Sequence, residues 1–157
     1  MQKKKLSAED RLDIQELFGR YTWALDTGDA EGVLACFTED GVIEHPPQGL
    51  CSGREGILAL LDELWHARGN WFRGRQHFAG NFVITPDAEG ARARAFWAIL
   101  QHNLDYHNTF VFALGNWDNS CVKQGDEWLF KALRVTPWVS DERIPWHSKK
   151  PELPPFG

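Results

Sequence analysis

The sequence predicts an α+β fold in which three helices cover one face of a curved antiparallel sheet. Three observations predict it. Apolar residues recur at helical steps in the first half of the chain, the period switches to two from Gln76 onward, and the later segments are joined by short turns suited to antiparallel strands. Because such sheets coil, the concave face and the long first helix can enclose a pocket between them.

The stretch from Leu12 to Asp26 sets Ile14, Leu17, Phe18, Tyr21, Ala24 and Leu25 on one helical face. Ser7 with Asp10 three residues on resembles a capping pair, and Gly28 supplies the stop. Asp29 can cap a second, short helix through Phe37, with Val33, Leu34 and Phe37 inward. Gly41 to His45 reads as a short strand. Pro46-Pro47 ends it, since neither residue donates to a ladder, and a loop through Leu50 follows. Ser52 and Glu55 form the S-x-x-E pattern that opens a third helix to about Arg68, burying Ile57, Leu60, Leu61, Leu64 and Trp65 before Gly69 closes it.

The segment Gln76 to Ile84 places His77, Ala79, Asn81 and Val83 on one face and Phe78, Phe82 and Ile84 on the other. The next strand, Ala91 to about His102, sets Arg92 and Arg94 opposite Ala93, Ala95, Trp97 and Ile99. Its later half is apolar on both faces, which predicts cover on both sides. Thr109 to Lys123 is a long strand with a bulge or bend expected at Gly115. A turn over Gln124 to Glu127 leads into the last strand, Trp128 to Val139. Residues 1–6, with three consecutive lysines, are expected to be disordered. Residues 7–140 form one domain, and the proline-rich residues 141–157 lie extended over the domain or a neighbour.

Eight tryptophans and ten phenylalanines exceed what a core of this size requires and fit an apolar cavity. A formal net charge of −5 excludes nucleic acid as the expected partner, because counterion release needs clustered Lys and Arg. No apolar run approaches membrane-spanning length and no signal-like N-terminus is seen. Cys36, Cys51 and Cys121 are odd in number and unpaired in spacing, so reduced thiols and a cytoplasmic location are expected.

Two residues carry candidate chemistry. Asp26 falls in the last turn of its helix, where a carboxylate faces the negative end of the macrodipole, a cost of a few tenths up to about 1 kcal/mol. Taken alone, a solvated turn residue explains it. His77 begins a strand and shares its face with small Ala79, which leaves room for a ligand, although a strand-end His bonded to backbone is the commoner case. An Asp beside one ring nitrogen would hold the tautomer and stabilise the imidazolium, the arrangement of a general base. Tyr21 lies in the apolar stripe and reads first as a core aromatic. Trp65 and Trp97 read first as packing residues and second as substrate contacts, and His102 as a polar strand end able to line the pocket. His45, His102 and His107 with Glu44 lack metal-ligand spacing, so neither metal nor cofactor is expected.

The stretch "LSAEDRLDIQELFGRYTWALDTGDAEGVLACFTEDGVI", followed in order by "GREGI", "RQHFAGNFVI" and "GDEWLFKALRV", resembles the SnoaL-like division of the nuclear transport factor 2-like superfamily. The likeness covers about Leu6 to Thr136. It implies a cone-shaped α+β barrel, usually a dimer or trimer, around an apolar pocket. The pattern is most similar to enzymes with an Asp–His pair: scytalone dehydratase, bile-acid 7α-dehydratase and hexachlorocyclohexane dehydrochlorinase. Their helical Asp matches Asp26 and their strand His matches His77. Tyr21 matches the Tyr of the bile-acid enzyme, five residues before the Asp, and Arg134 corresponds to an Arg near the end of the last strand.

The resemblance therefore implies a cofactor-independent lyase of dehydratase type acting on a hydrophobic small molecule. His77 would take a proton from carbon and Asp26 would stabilise the imidazolium. Tyr21 would bond a leaving hydroxyl or carbonyl, and Arg134 would hold negative charge on oxygen. The alternatives are an isomerase or polyketide cyclase in the same pocket, or a non-catalytic module like the small subunit of a ring-hydroxylating dioxygenase. The outward Phe78, Phe82 and Ile84 point to a subunit interface, consistent with a homodimer or homotrimer.

Overall fold

In the computed structural model, which describes residues 5–67, 69, 72–140, 143–145, 152 and 154, the first helix α1 spans Ala8–Thr27. Its ends are satisfied locally. Ser7 Oγ accepts from the Asp10 N–H at 2.9 Å while the Asp10 carboxylate accepts from the Ser7 N–H at 3.0 Å. Gly28 ends the helix in the left-handed conformation, φ 76°, and its N–H returns to Ala24. The apolar stripe read from the sequence is the buried face. Leu6 is buried too, so of the six residues expected to be disordered this one belongs to the core.

Helix α2 is only Ala30–Leu34, because Phe37 leaves it to open β1, Phe37–His45, where its ring meets those of Tyr21 and Phe130. A bulge between Phe37 and Val42 hides the first half of this strand from a period-two reading. At Gly41 a Cβ would stand 2.9 Å from the Thr38 carbonyl oxygen, so the bulge requires glycine there. The expected loop through Leu50 contains a strand, β2, Gly49–Ser52, too short to show periodicity, which pairs back on β1. Helix α3, Gly53–His66, follows with Ser52 at its N-cap. The Ser52 side chain makes no capping hydrogen bond, so the S-x-x-E pattern marks the position without forming the box.

Strands β3 (Arg75–Pro86), β4 (Ala91–Asn103), β5 (Asn108–Gln124) and β6 (Glu127–Pro137) form a meander, and the six strands are ordered β2-β1-β6-β5-β4-β3. All neighbours are antiparallel except β1 and β6, which run parallel. No hairpin joins that pair, so nothing forces them to oppose. Phe18 of α1 anchors the core, with ring centroids at 5.2 Å from Phe82, 5.7 Å from Trp117 and 5.2 Å from Phe130.

Two strands depart from the alternation read in the sequence. In β3 the register slips between Gly80 and Val83, with Asn81 at φ 54°, and this extra residue exchanges the faces. His77 and Ala79 point inward as expected. Beyond the bulge Phe82 and Ile84 turn to the core, whereas Asn81 and Val83 are exposed. In β5 the slip comes at Phe112, between the pairs Ile99 with Ala113 and Leu100 with Val111, and not at Gly115. Gly115 has a different reason. It lies opposite Trp97, and a Cβ would stand 2.2 Å from the indole.

The outer face of β4 is covered only in part among the described residues: the Trp138 ring meets Phe96 at 5.5 Å, yet Phe96, Phe78 and Leu114 stay about half exposed, short of the cover expected on both sides. No described helix is long and apolar enough to cross a membrane. Most of the tail expected over 141–157 lies outside the described residues.

Candidate functional site

The concave face of the sheet, the C-terminal turns of α1 and one face of α3 enclose a cavity of about 330 Å³. Its wall is mainly apolar, with Leu25, Leu60, Leu61, Ile99, Trp97 and Trp117 prominent. Its polar groups are few: Tyr21, His45, Gln48, Glu63, Arg75 and His77. An apolar volume with a small number of convergent polar groups is the usual form of a small-molecule site.

His77 is the best-held of these groups. Its Nδ1 lies 2.6 Å from Asp26 Oδ1, and its backbone N–H donates to Asp26 Oδ2, also at 2.6 Å. Local structure explains both bonds. Strand β3 is a sheet edge, so alternate backbone N–H groups have no strand partner, and α1 delivers a carboxylate to one of them. The side chains are 9% and 13% exposed, which sets aside the solvated-turn reading of Asp26. Charge-assisted bonds of this kind contribute about 1.5–3 kcal/mol each, more than the helix-dipole cost of a carboxylate in a last turn. A carboxylate only accepts, so the ring carries its hydrogen on Nδ1 and leaves the Nε2 lone pair available.

Tyr21 is buried in the wall beside Phe37, Trp117 and Phe130. Burial, with smaller contributions from Cys36 and Asp26, pushes its phenol well above the ordinary tyrosine value, so it keeps its proton. Arg75 is a residue that sequence reasoning missed. It is buried, donates from Nε to Gln101 Oε1 at 2.9 Å, and sets its guanidinium 4.6 Å from the Phe72 ring centroid and 4.3 Å from that of Phe112. The available signal was parity: Arg75 is two residues before inward-facing His77. His45, Gln48 and Glu63 were missed as a group because they come from β1, the following turn and α3.

The remaining expected residues divide. Trp97 is buried in the cavity wall beside Trp117, at 6.1 Å between centroids. Trp65 is not in the wall. It is half-buried and donates from Nε1 to the Leu25 carbonyl at 3.2 Å, fastening α3 to the end of α1. His102 is exposed and meets Thr109 Oγ1 at 3.0 Å. Arg134 is exposed on the outer face of β6, paired through Nε with Glu44 Oε2 at 2.6 Å across the β1–β6 ladder. The structure thus brings together Asp26, His77, Tyr21 and Trp97, and sets Arg134, His102 and Trp65 apart from the cavity. Among the described residues no three His, Cys, Asp or Glu side chains converge as a metal site.

Comparison with known proteins gives the family and the fold. The model of a SnoaL-like domain matches residues 6–134. Among solved structures, the chain is similar to ActVI-ORFA of Streptomyces coelicolor at 24% identity, covering 82% of this chain and 97% of that one, with a TM-score of 0.73. It is similar to a candidate scytalone dehydratase of Novosphingobium aromaticivorans at 22% identity, covering 82% and 84%, TM-score 0.70. A third, an NTF2-like protein with a cystatin-like fold from the same organism, is 25% identical over 81% of this chain and 80% of that one, TM-score 0.67. Comparison with curated proteins gives no match. The fold is therefore of the NTF2-like, cystatin-like kind, and with a match that runs from Leu6 through Arg134, reaching every helix and strand, the chain belongs to the SnoaL-like family.

Proposed function

We propose that this chain is a cofactor-independent enzyme that takes a proton from carbon in an apolar small molecule and expels a leaving group, as a dehydratase-type lyase does. The SnoaL-like family includes dehydratases, cyclases and isomerases. The single observation that carries the reading is a carboxylate-backed imidazole in the wall of an otherwise apolar cavity. His77 Nε2 removes the proton, and Asp26 stabilises the imidazolium without moving. Tyr21 donates to the departing hydroxyl or to a carbonyl, and Arg75 takes the place expected of Arg134, opposite negative charge developing on oxygen. Positioned acid and base groups each supply about 10²- to 10⁴-fold.

The test is a screen of hydroxylated polycyclic, terpenoid and aromatic ketones for loss of water, run beside His77→Ala and Asp26→Asn. Turnover abolished by both changes supports the reading. Turnover that survives both removes His77 as the base, and products that keep their oxygen mark an isomerase or cyclase in its place.

The same proposal includes a second copy of the chain over the exposed apolar face at Phe78, Phe96 and Leu114. Light scattering is expected to show a homodimer or homotrimer that Phe96→Asp weakens. A monomer with the wild-type sequence would remove this part.

A further inference from the structure

A second imidazole stands in the same cavity wall, and proton abstraction by His77 leaves it without a task. His45 closes β1, and the turn over residues 46–48 folds Gln48 back onto it. His45 Nδ1 lies 2.7 Å from Gln48 Oε1, and the other end of that amide donates from Nε2 to Glu63 Oε1 at 2.8 Å. All three residues line the cavity.

The order of this chain fixes its hydrogens. A carboxylate only accepts, so Glu63 takes the amide N–H. The amide oxygen then faces His45 and also only accepts, so His45 Nδ1 must be the donor. Neutral His45 is thereby held with Nε2 bare. Burial, reinforced by neighbouring His77, lowers the affinity of this ring for a second proton, against opposing pulls from Gln48 and Glu63.

The two imidazoles differ in what stands behind them. Asp26 gives His77 a counter-charge for the imidazolium it becomes on accepting a proton. A neutral amide gives His45 none at first hand, so His45 is better suited to accept a hydrogen bond than to carry off a proton. We propose that His45 reads a hydroxyl: its Nε2 accepts the hydrogen of a phenolic or enolic hydroxyl on the molecule whose C–H faces His77. The inference rests on the reading of this cavity as a substrate site, and it narrows the substrate class to hydroxylated apolar rings. Arg75 donates to any oxygen and cannot tell a hydroxyl from an ether. A bare ring nitrogen can, because only the hydroxyl has a hydrogen to offer.

Binding of 2-naphthol and of 2-methoxynaphthalene to the whole chain, followed through quenching of tryptophan fluorescence, tests this without turnover. The wild type is expected to prefer the naphthol by about two- to tenfold, the range of one neutral hydrogen bond. His45→Phe keeps a ring in place and is expected to abolish the preference. Gln48→Leu is expected to abolish it as well, since it frees the imidazole to put its hydrogen on Nε2, an effect that mere loss of packing would not produce. His77→Phe is expected to keep it. The proposal is overturned by an absent preference or no naphthol binding in the wild type, by a preference that survives His45→Phe or Gln48→Leu, or by one lost only in His77→Phe. Failure of the proton-abstraction reading is distinguishable: turnover then survives His77→Ala while the binding preference still depends on His45.

Discussion

Replacing Asp26 by Asn exchanges one carboxylate oxygen for an NH2 group and sets two hydrogen bonds against each other. In the native chain both carboxylate oxygens accept, one from the His77 ring and one from its backbone N–H, each at 2.6 Å. Asn has one acceptor and one donor, and the backbone N–H can only donate. If the Asn oxygen serves the backbone, its amide donates to Nδ1 and drives the ring hydrogen to Nε2, where the base must be bare. If the oxygen serves the ring, the amide meets the backbone N–H and leaves a buried donor unmade, a cost of about 1–3 kcal/mol. Loss of the carboxylate charge beside the imidazolium removes about 1.5–3 kcal/mol more. Together these reach about 2.5–6 kcal/mol, or roughly 10²- to 10⁴-fold in kcat at 1.36 kcal/mol per decade. The binding constant for an apolar ligand is expected to stay within about threefold, because Asp26 is behind the ring and not in the wall. The ring hydrogen can be watched directly by ¹⁵N NMR of the imidazole, which is expected to report Nδ1–H in the wild type and mainly Nε2–H in Asp26→Asn. The same tautomer in both proteins, with a rate loss below tenfold, would refute the reasoning.

Four further outcomes follow from other parts of the chain. Arg134→Ala breaks only a half-exposed ion pair with Glu44 and is expected to cost at most about 1 kcal/mol in urea unfolding with kcat/KM nearly unchanged, whereas Arg75→Lys loses the planar fork in the cavity wall and is expected to lower kcat at least tenfold. A hundredfold loss in Arg134→Ala would return that residue to the site. Gly115→Ala puts a methyl group 2.2 Å from the Trp97 ring and 2.4 Å from the Thr136 carbonyl oxygen, so it is expected to destabilise by at least about 1–3 kcal/mol in the same assay; a change under about 0.5 kcal/mol would show that the strand yields freely. Asp10 accepts from Lys123, Ser7 and Trp128, chiefly the lysine, and these bonds hold its carboxyl well below the usual range. A depressed folded-state pKa contributes stability that is complete above the unfolded value of about 3.9 and lost as pH falls below it, so Asp10→Asn is expected to lower the urea midpoint at pH 7 more than at pH 3.

How far the sequence could be read depended on whether each signal was local. The stripe from Ile14 to Leu25, the Ser7–Asp10 cap and the Gly28 stop are set by neighbours three or four residues apart, and the fold reproduces them. Parity along a strand is local only until a bulge adds a residue. One such residue near Asn81 was enough to turn Phe82 and Ile84 from an expected outer face to the core, and its signal was Gly80-Asn81, a strand glycine followed by a residue that tolerates positive φ, whereas the bulge had been expected at Gly115 instead. Gly115 shows the converse, since the glycine was seen but its cause, the indole of Trp97 across the ladder, comes from a different strand.

The site follows the same division. Asp26 was legible as an anomaly, a carboxylate at the wrong end of a helix dipole, and anomalies are readable because local structure does not account for them. Arg75 was obscured for the opposite reason. It sat two residues from a suspected base, on the face already assigned to the pocket, while the residue nominated as the cation, Arg134, was chosen by correspondence along the last strand. Correspondence carries a residue's place in the chain but not which face of a strand it occupies. In β6 that face is the outer one, where Glu44 neutralises the charge. A cation meant to act inside an apolar cavity must be desolvated and still held, and Arg75 meets both conditions through burial, Gln101 and two aromatic rings. Inward parity beside a candidate base thus locates the arginine that lines the cavity, which place along the chain does not.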